Sequence, residues 1–190
     1  MTRTLLAALA IASLGMLQPL RVDAVPVISA PFVTVGVGDT FTIPISITGA
    51  TDVTSWQFDL AYTPSIVKAT AVTEGSFMSA FGTTFFTPGV INTVTGLISL
   101  VADSYVDLPP DPSGGGVLAN IEFTALAPGV SPLTMSNVFV NDLDAGFQTT
   151  NGQVTVRGKA VPEPTTLTLL GLGLGAALGD SYRRRRARRS

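Results

Sequence analysis

Between residues 39 and 49 apolar and polar side chains alternate without a break, with Phe41, Ile43, Ile45 and Ile47 set against Thr42, Pro44, Ser46 and Thr48. A period of two places each set on one face of a strand, so this stretch predicts a half-buried β-strand. Pro44 has no N–H to give to a ladder, which puts the strand at a sheet edge or a break at that residue. Trp56, Phe58 and Leu60 then alternate with Ser55, Gln57, Asp59 and Ala61 and run into Tyr62-Thr63-Pro64-Ser65, where Pro64 presets a turn. Val117, Ala119, Ile121, Phe123 and Ala125 alternate with Asn120, Glu122 and Thr124, and residues 153–157 follow an Asn151-Gly152 turn signal.

Shorter strand candidates lie at 26–35, 66–73, 81–86, 90–93, 97–103 and 132–140, separated by Gly, Pro, Asn and Asp. No long 3.6-residue period appears, and only a turn of helix is expected near 75–80. Many short strands with regular turns predict an all-β fold, a jelly-roll-like antiparallel β-sandwich of eight or nine strands. Residues 108–116, Leu-Pro-Pro-Asp-Pro-Ser-Gly-Gly-Gly, read as a surface loop.

The two ends follow different rules. Arg3 precedes an uncharged apolar run over residues 5–17, and Val22-Asp23-Ala24 offers small side chains at the last and third-last positions of a peptidase site. This is a secretory signal peptide over residues 1–24, with cleavage between Ala24 and Val25. The alternative, an uncleaved anchor helix, needs about 20 apolar residues. At the other end Pro162, Glu163 and Pro164 introduce an apolar stretch over 165–179, followed by Arg183, Arg184, Arg185, Arg186, Arg188 and Arg189. Such a stretch makes ~22 Å of helix against a hydrocarbon core ~30 Å thick, a short transmembrane helix. The arginines hold its C-terminus on the cytoplasmic side. Gly171, Gly175 and Gly179 line one side of that helix, where another helix can approach closely, although glycine is also common in membrane helices. The domain plan is therefore a signal peptide at 1–24, a β-sandwich at 25–158 and a membrane-directed tail at 159–190.

Composition removes whole classes of chemistry. The chain of 190 residues has neither cysteine nor histidine. Disulfides, thiolate sites, Ser-His-Asp triads and ordinary zinc sites are thereby excluded. Between residues 25 and 160 the basic residues are Lys68, Arg157 and Lys159, against ten carboxylates, giving 3 − 10 = −7. An acidic module does not bind phosphate backbones, so nucleic acid is not expected as a partner. A basic nucleic-acid-binding tail at 183–189 would leave the apolar helix and the leader unexplained.

Val35-Gly36-Val37-Gly38-Asp39, the alternating strand, Gly49-Ala50 and the Trp56–Leu60 strand with its Tyr62-Thr63-Pro64-Ser65 turn resemble the cohesin domain. The stretches 116–123, 133–138 and 151–156 resemble later strands of the same family, so the likeness spans about 27–157. Thr63 stands where cohesins usually carry Asp or Asn. The resemblance implies a non-catalytic protein-binding module, with a dockerin-like protein, small and helical with calcium loops, as the kind of partner. The order Pro-Glu-Pro, apolar helix, basic end resembles the PEP-CTERM sorting signal. That likeness implies an exosortase-type membrane protease as a partner, transient anchoring in the inner membrane, and delivery to the cell surface or extracellular matrix.

Asp59 and Glu122 fall on outward strand positions, where a solvated charge is ordinary, and no facing carboxylate pair of a glycosidase is visible. No catalytic residue and no cofactor is expected. Asn141, Asp142 and Asp144 crowd one turn before Gly146 and are a calcium candidate, set against the local hydrogen bonds that make Asx residues common in turns. Phe81, Phe85, Phe86 and Tyr105 keep open an alternative function, a carbohydrate-binding or structural module of an exopolysaccharide matrix.

Overall fold

The computed structural model describes residues 25–107, 112–141 and 146–158, together with Leu169, Leu170 and Leu172. The alternating stretches become strands with their apolar sets inward. They are β1 (Val27–Ser29), β2 (Phe32–Gly36), β3 (Thr40–Ala50), β4 (Ser55–Ala61), β5 (Val67–Glu74), β6 (Val90–Asn92), β7 (Leu97–Ser104), β8 (Gly114–Ala125), β9 (Gly129–Val140), β10 (Gln148–Thr150) and β11 (Gly152–Arg157). One helical turn, α1 (Ser76–Ser79), follows β5 and buries Phe77 and Met78.

Two sheets pack face to face, one in the order β10-β1-β3-β8-β5 and the other β2-β11-β9-β4-β7-β6. Trp56, Phe58 and Leu60 from one sheet meet Ile43, Ile45, Ile47, Ile121 and Phe123 from the other, all 2 % exposed or less. Removing these side chains from water supplies roughly 2 kcal/mol apiece and is the main force holding the layers together. Tyr62 meets Phe123 edge-on at 5.3 Å, and Trp56 stacks on Phe58 at 5.6 Å.

The all-β sandwich stands as expected, but the sheets are mixed, not antiparallel. β1 runs parallel to β10, and β2 runs parallel to β11. Ala30-Pro31 and Asn151 each carry the chain from one sheet to the other, so the single candidate at 26–35 is two strands and the stretch before 157 is also two. Asn151-Gly152 is therefore a crossing point and not a hairpin turn. Gly152 is required there because a Cβ would lie 2.4 Å from the Pro31 carbonyl oxygen. Residues 81–86 form no strand; the segment touches β7 only through the bridges Thr84↔Tyr105 and Thr87↔Ala102.

Two further expectations change. β3 lies inside its sheet, yet Pro44 is tolerated because β1 reaches only Ser46–Thr48 and a register shift follows between Ile45 and Ser46. Gly114, Gly115 and Gly116 belong to β8 and not to a loop. Gly116 lets the strand pass directly under Phe77, where a Cβ would come within 2.9 Å of the ring.

The leader, Asp142, Asp144, the Pro162-Glu163-Pro164 motif and the arginines from Arg183 to Arg189 lie outside the described residues. Among those described, no helix is long and apolar enough to cross a membrane, and Leu169, Leu170 and Leu172 are helical and exposed.

Candidate functional site

The outward sides of the two sheets differ in chemistry. On the five-stranded sheet β3, β5 and β8 present Thr40, Thr42, Lys68, Thr70, Glu122 and Thr124, and Thr70 Oγ1 donates to Glu122 Oε1 at 2.7 Å. Glu122 is thus the outward charge that its strand position predicts. On the six-stranded sheet the outward side of β9, β4, β7 and β6 carries one formal charge, Asp59. Around it Val90 is 68 % exposed, Leu100 53 % and Phe139 39 %. Phe85 and Val106 extend this apolar field along the edge, because Phe85 N–H donates to Ser104 O and Val106 N–H donates to Thr83 O. Exposed apolar side chains gathered around a single charge on one face mark an interaction surface.

Asp59 is more than the solvated charge expected of it. β7 has an extra residue opposite Asp59, between the pairs Phe58↔Val101 and Leu60↔Ile98. β9 has an extra residue between Gln57↔Phe139 and Asp59↔Ser136. The two bulges put Leu100 and Asn137 at positive φ, 59° and 49°. One Asp59 oxygen accepts the Leu100 N–H at 2.7 Å and the other accepts Asn137 Nδ2 at 2.7 Å. A single carboxylate therefore takes the backbone N–H of one bulge and the side-chain amide of the other, and so ties the two bulges together. Leu100 and Asn137 are positions of this candidate surface that the sequence pattern missed; the asparagine is the available signal, since Asn tolerates the left-handed region better than most residues.

At the end of the sandwich where β4 begins and β3, β7 and β9 finish, Asn141 ties the loops together. Its Oδ1 accepts from Thr54 N at 2.7 Å, Thr54 Oγ1 at 3.1 Å and Ser55 N at 3.3 Å, while Nδ2 donates to Asp52 O at 2.7 Å. The amide that was a calcium candidate is engaged with the protein, and among the described residues no group of acidic side chains is placed to hold a metal. The four aromatics considered for sugar binding separate into two pairs. Phe81 and Phe85 are exposed, whereas Phe86 packs against Trp56 at 6.3 Å and the Tyr105 hydroxyl donates to Met78 O at 3.1 Å. Thr63 needs no carboxylate in its turn, because its carbonyl oxygen accepts Ile66 N and Val67 N while its own N–H donates to Ser131 Oγ.

A cohesin domain family model matches residues 27–159. The chain belongs to the cohesin family. Residues 160–187 match the PEP-CTERM protein-sorting motif. The pairing identifies an exported, non-catalytic module for protein–protein binding. Among solved structures, a non-cellulosomal cohesin from the archaeon Archaeoglobus fulgidus is similar at 20 % identity with a TM-score of 0.58, covering 72 % of this chain and 94 % of that one. A cohesin of Clostridium thermocellum, solved as the Coh-OlpC-Doc435 type I cohesin–dockerin complex, matches at 17 % identity and TM-score 0.57, over 72 % of this chain and 96 % of that one. CaCohA2 from Clostridium acetobutylicum matches at 21 % identity and TM-score 0.56, over 73 % and 94 %. At these identities the likeness is one of fold. No curated protein matches the chain in sequence.

Proposed function

We propose that this cohesin binds a dockerin-like helical protein through the outward side of β9, β4, β7 and β6, after export and sorting to the cell surface or extracellular matrix. The observation that carries this reading is the apolar field of Val90, Leu100 and Phe139 around the lone Asp59 carboxylate. Such a face suits the apolar stripe of a helix, with one basic or amide group to meet the carboxylate. The cohesin–dockerin complexes among the similar structures support the same class of partner. Sorting follows from the two ends. Cleavage after Ala24 would leave Val25 as the mature N-terminus. The 159–190 tail would hold the precursor in the inner membrane until an exosortase-type protease cuts near Pro162-Glu163-Pro164.

The test is titration calorimetry of the chain against calcium-loaded type I dockerin domains, with Leu100→Asp and Phe139→Asp compared with Thr42→Asp on the opposite sheet. Binding that is lost in the first two and kept in the third supports the proposal. Equal effects from all three, or no binding by any dockerin, oppose it.

A second reading, binding of matrix polysaccharide, is favoured by the exposed phenyl rings of Phe81 and Phe85, 51 % and 68 % exposed. Aromatic faces stack on sugar rings. Retention on exopolysaccharide that is lost in Phe81→Ala and Phe85→Ala but kept in Phe139→Asp identifies this activity. Tyr105→Ala is a poor probe, because its hydroxyl braces the Met78 carbonyl.

A further inference from the structure

Beneath the apolar face, carboxyl groups from opposite sheets meet. Asp103 points inward from β7, paired with Trp56 of β4, and is 3 % exposed. Glu74 ends β5 in the other sheet, and its side chain is hydrogen-bonded to that of Asp103. Two ionised carboxylates have no proton to form such a bond, and Asp103, the buried member, is the one placed to hold it. Ser104 N–H donates to Asp103 Oδ1 at 2.9 Å, and Thr84 Oγ1 donates to Glu74 Oε1 at 2.6 Å.

Among the described residues no other charge enters from the elements packed around the pair. β4 contributes Trp56 opposite Asp103, β8 contributes Ala119 opposite Glu74, and the segment 83–87 contributes Thr84. The nearest titratable groups along the chain are Tyr105, bonded to Met78 O, and the exposed Asp107. The described cations, Lys68 and Arg157, lie at the opposite end of the strands. Burial, and after it the neighbouring Glu74 charge, pushes the Asp103 carboxyl up to about 7.

The two sides of this junction differ in their freedom to move. Gly75 N–H donates to Leu118 O at 2.8 Å, and a Cβ on Gly75 would lie 2.0 Å from Val117 O, so the backbone beside Glu74 is seated on β8. The segment 83–87 is held to β7 by isolated bridges, not by a continuous ladder. It carries Thr84 on the carboxyl pair and Phe85 on the outward face.

We propose that a proton held by Asp103 and donated to Glu74 latches the 83–87 segment, and Phe85 with it, onto the edge of the binding face. Loss of that proton above neutral pH sets two carboxylate charges side by side; their repulsion draws Glu74 off the Thr84 hydroxyl, loosens the edge and weakens partner binding, a consequence that rests on the face proposed above. The folded chain retains a proton that the unfolded chain releases in the ordinary carboxylate range. Stability therefore falls as pH rises from that range toward about 7 and levels off above it.

Trp56 is the only tryptophan in the chain and pairs with Asp103, so its emission reports on this junction. The full chain in detergent micelles is titrated from pH 5 to 9 (roughly two units either side of the expected midpoint). A sigmoidal change in Trp56 emission centred near 7, absent in Asp103→Asn, moved toward lower pH in Glu74→Gln and unchanged in Asp107→Asn, supports the latch. A flat wild-type profile, or the same transition in Asp103→Asn, overturns it. Should Asp103→Asn fail to fold, the Glu74→Gln midpoint decides: an unmoved midpoint overturns the latch. A dockerin domain that binds several-fold more weakly at pH 8.5 than at pH 6 (a span of about one protonation step or more) supports the coupling. Equal binding at both pH values, with the Trp56 transition intact, overturns the coupling. No dockerin binding at any pH, with that transition intact, counts against the proposed partner and leaves the latch standing.

Discussion

Asp59 accepts the backbone N–H of Leu100 at 2.7 Å, so the lone carboxylate on the apolar face holds a leucine in the left-handed region. The same carboxylate accepts Asn137 Nδ2 on its other side. Asp59→Ala leaves both bulges without their acceptor and is expected to cost about 1–2 kcal/mol in denaturant unfolding. Asp59→Asn retains one acceptor oxygen and should recover about half of that loss. An unchanged midpoint in Asp59→Ala would show that the bulges hold themselves.

Leu100→Gly separates stability from function. A leucine at φ 59° carries backbone strain on the order of 1 kcal/mol, which glycine relieves. Its side chain is 53 % exposed, so little core packing is lost. The thermal midpoint should rise by about 2–4 °C while partner affinity falls. A lower midpoint together with unchanged affinity would contradict both parts.

Asn141→Ala removes four side-chain hydrogen bonds at the loop-bearing end. The Thr54 and Ser55 N–H groups lose their shared acceptor, and the expected cost is about 2 kcal/mol. Amide exchange at residues 52–55 should accelerate before global unfolding. Protection that matches the parent chain would show that another group had taken over the amide's role.

Processing at the ends is checked by mass spectrometry of the surface-exposed protein from the native host. A mature N-terminus at Val25 and no peptides from Arg183 to Arg189 are expected. Glu163→Ala should leave membrane insertion intact and block processing, whereas Ala at Arg183, Arg184, Arg185 and Arg186 should weaken retention. Recovery of the arginine peptides from surface material would make the tail a lasting anchor.

Alternation at Phe41, Ile43, Ile45 and Ile47, and again at Trp56, Phe58 and Leu60, determines from the sequence alone which side chains enter the core. In a strand the facing of each residue follows from position parity, whichever strand lies beside it. The same local logic makes the C-terminal sorting motif and the cohesin resemblance legible, because each is a contiguous pattern of residue types. Parallel pairing of β1 with β10 and of β2 with β11 joins residues more than a hundred positions apart, and no local pattern encodes it. The bulges flanking β4 depend on how many residues each neighbouring strand spends between shared pairs, so Asp59 reads as an ordinary surface charge until Leu100 and Asn137 are beside it. Asp103 shares the inward parity of Val101 and Glu74 closes β5, and neither strand by itself shows what its carboxyl meets. Only the packing of one sheet on the other removes water from between them, and that loss of solvation makes a retained proton more favourable than two charges.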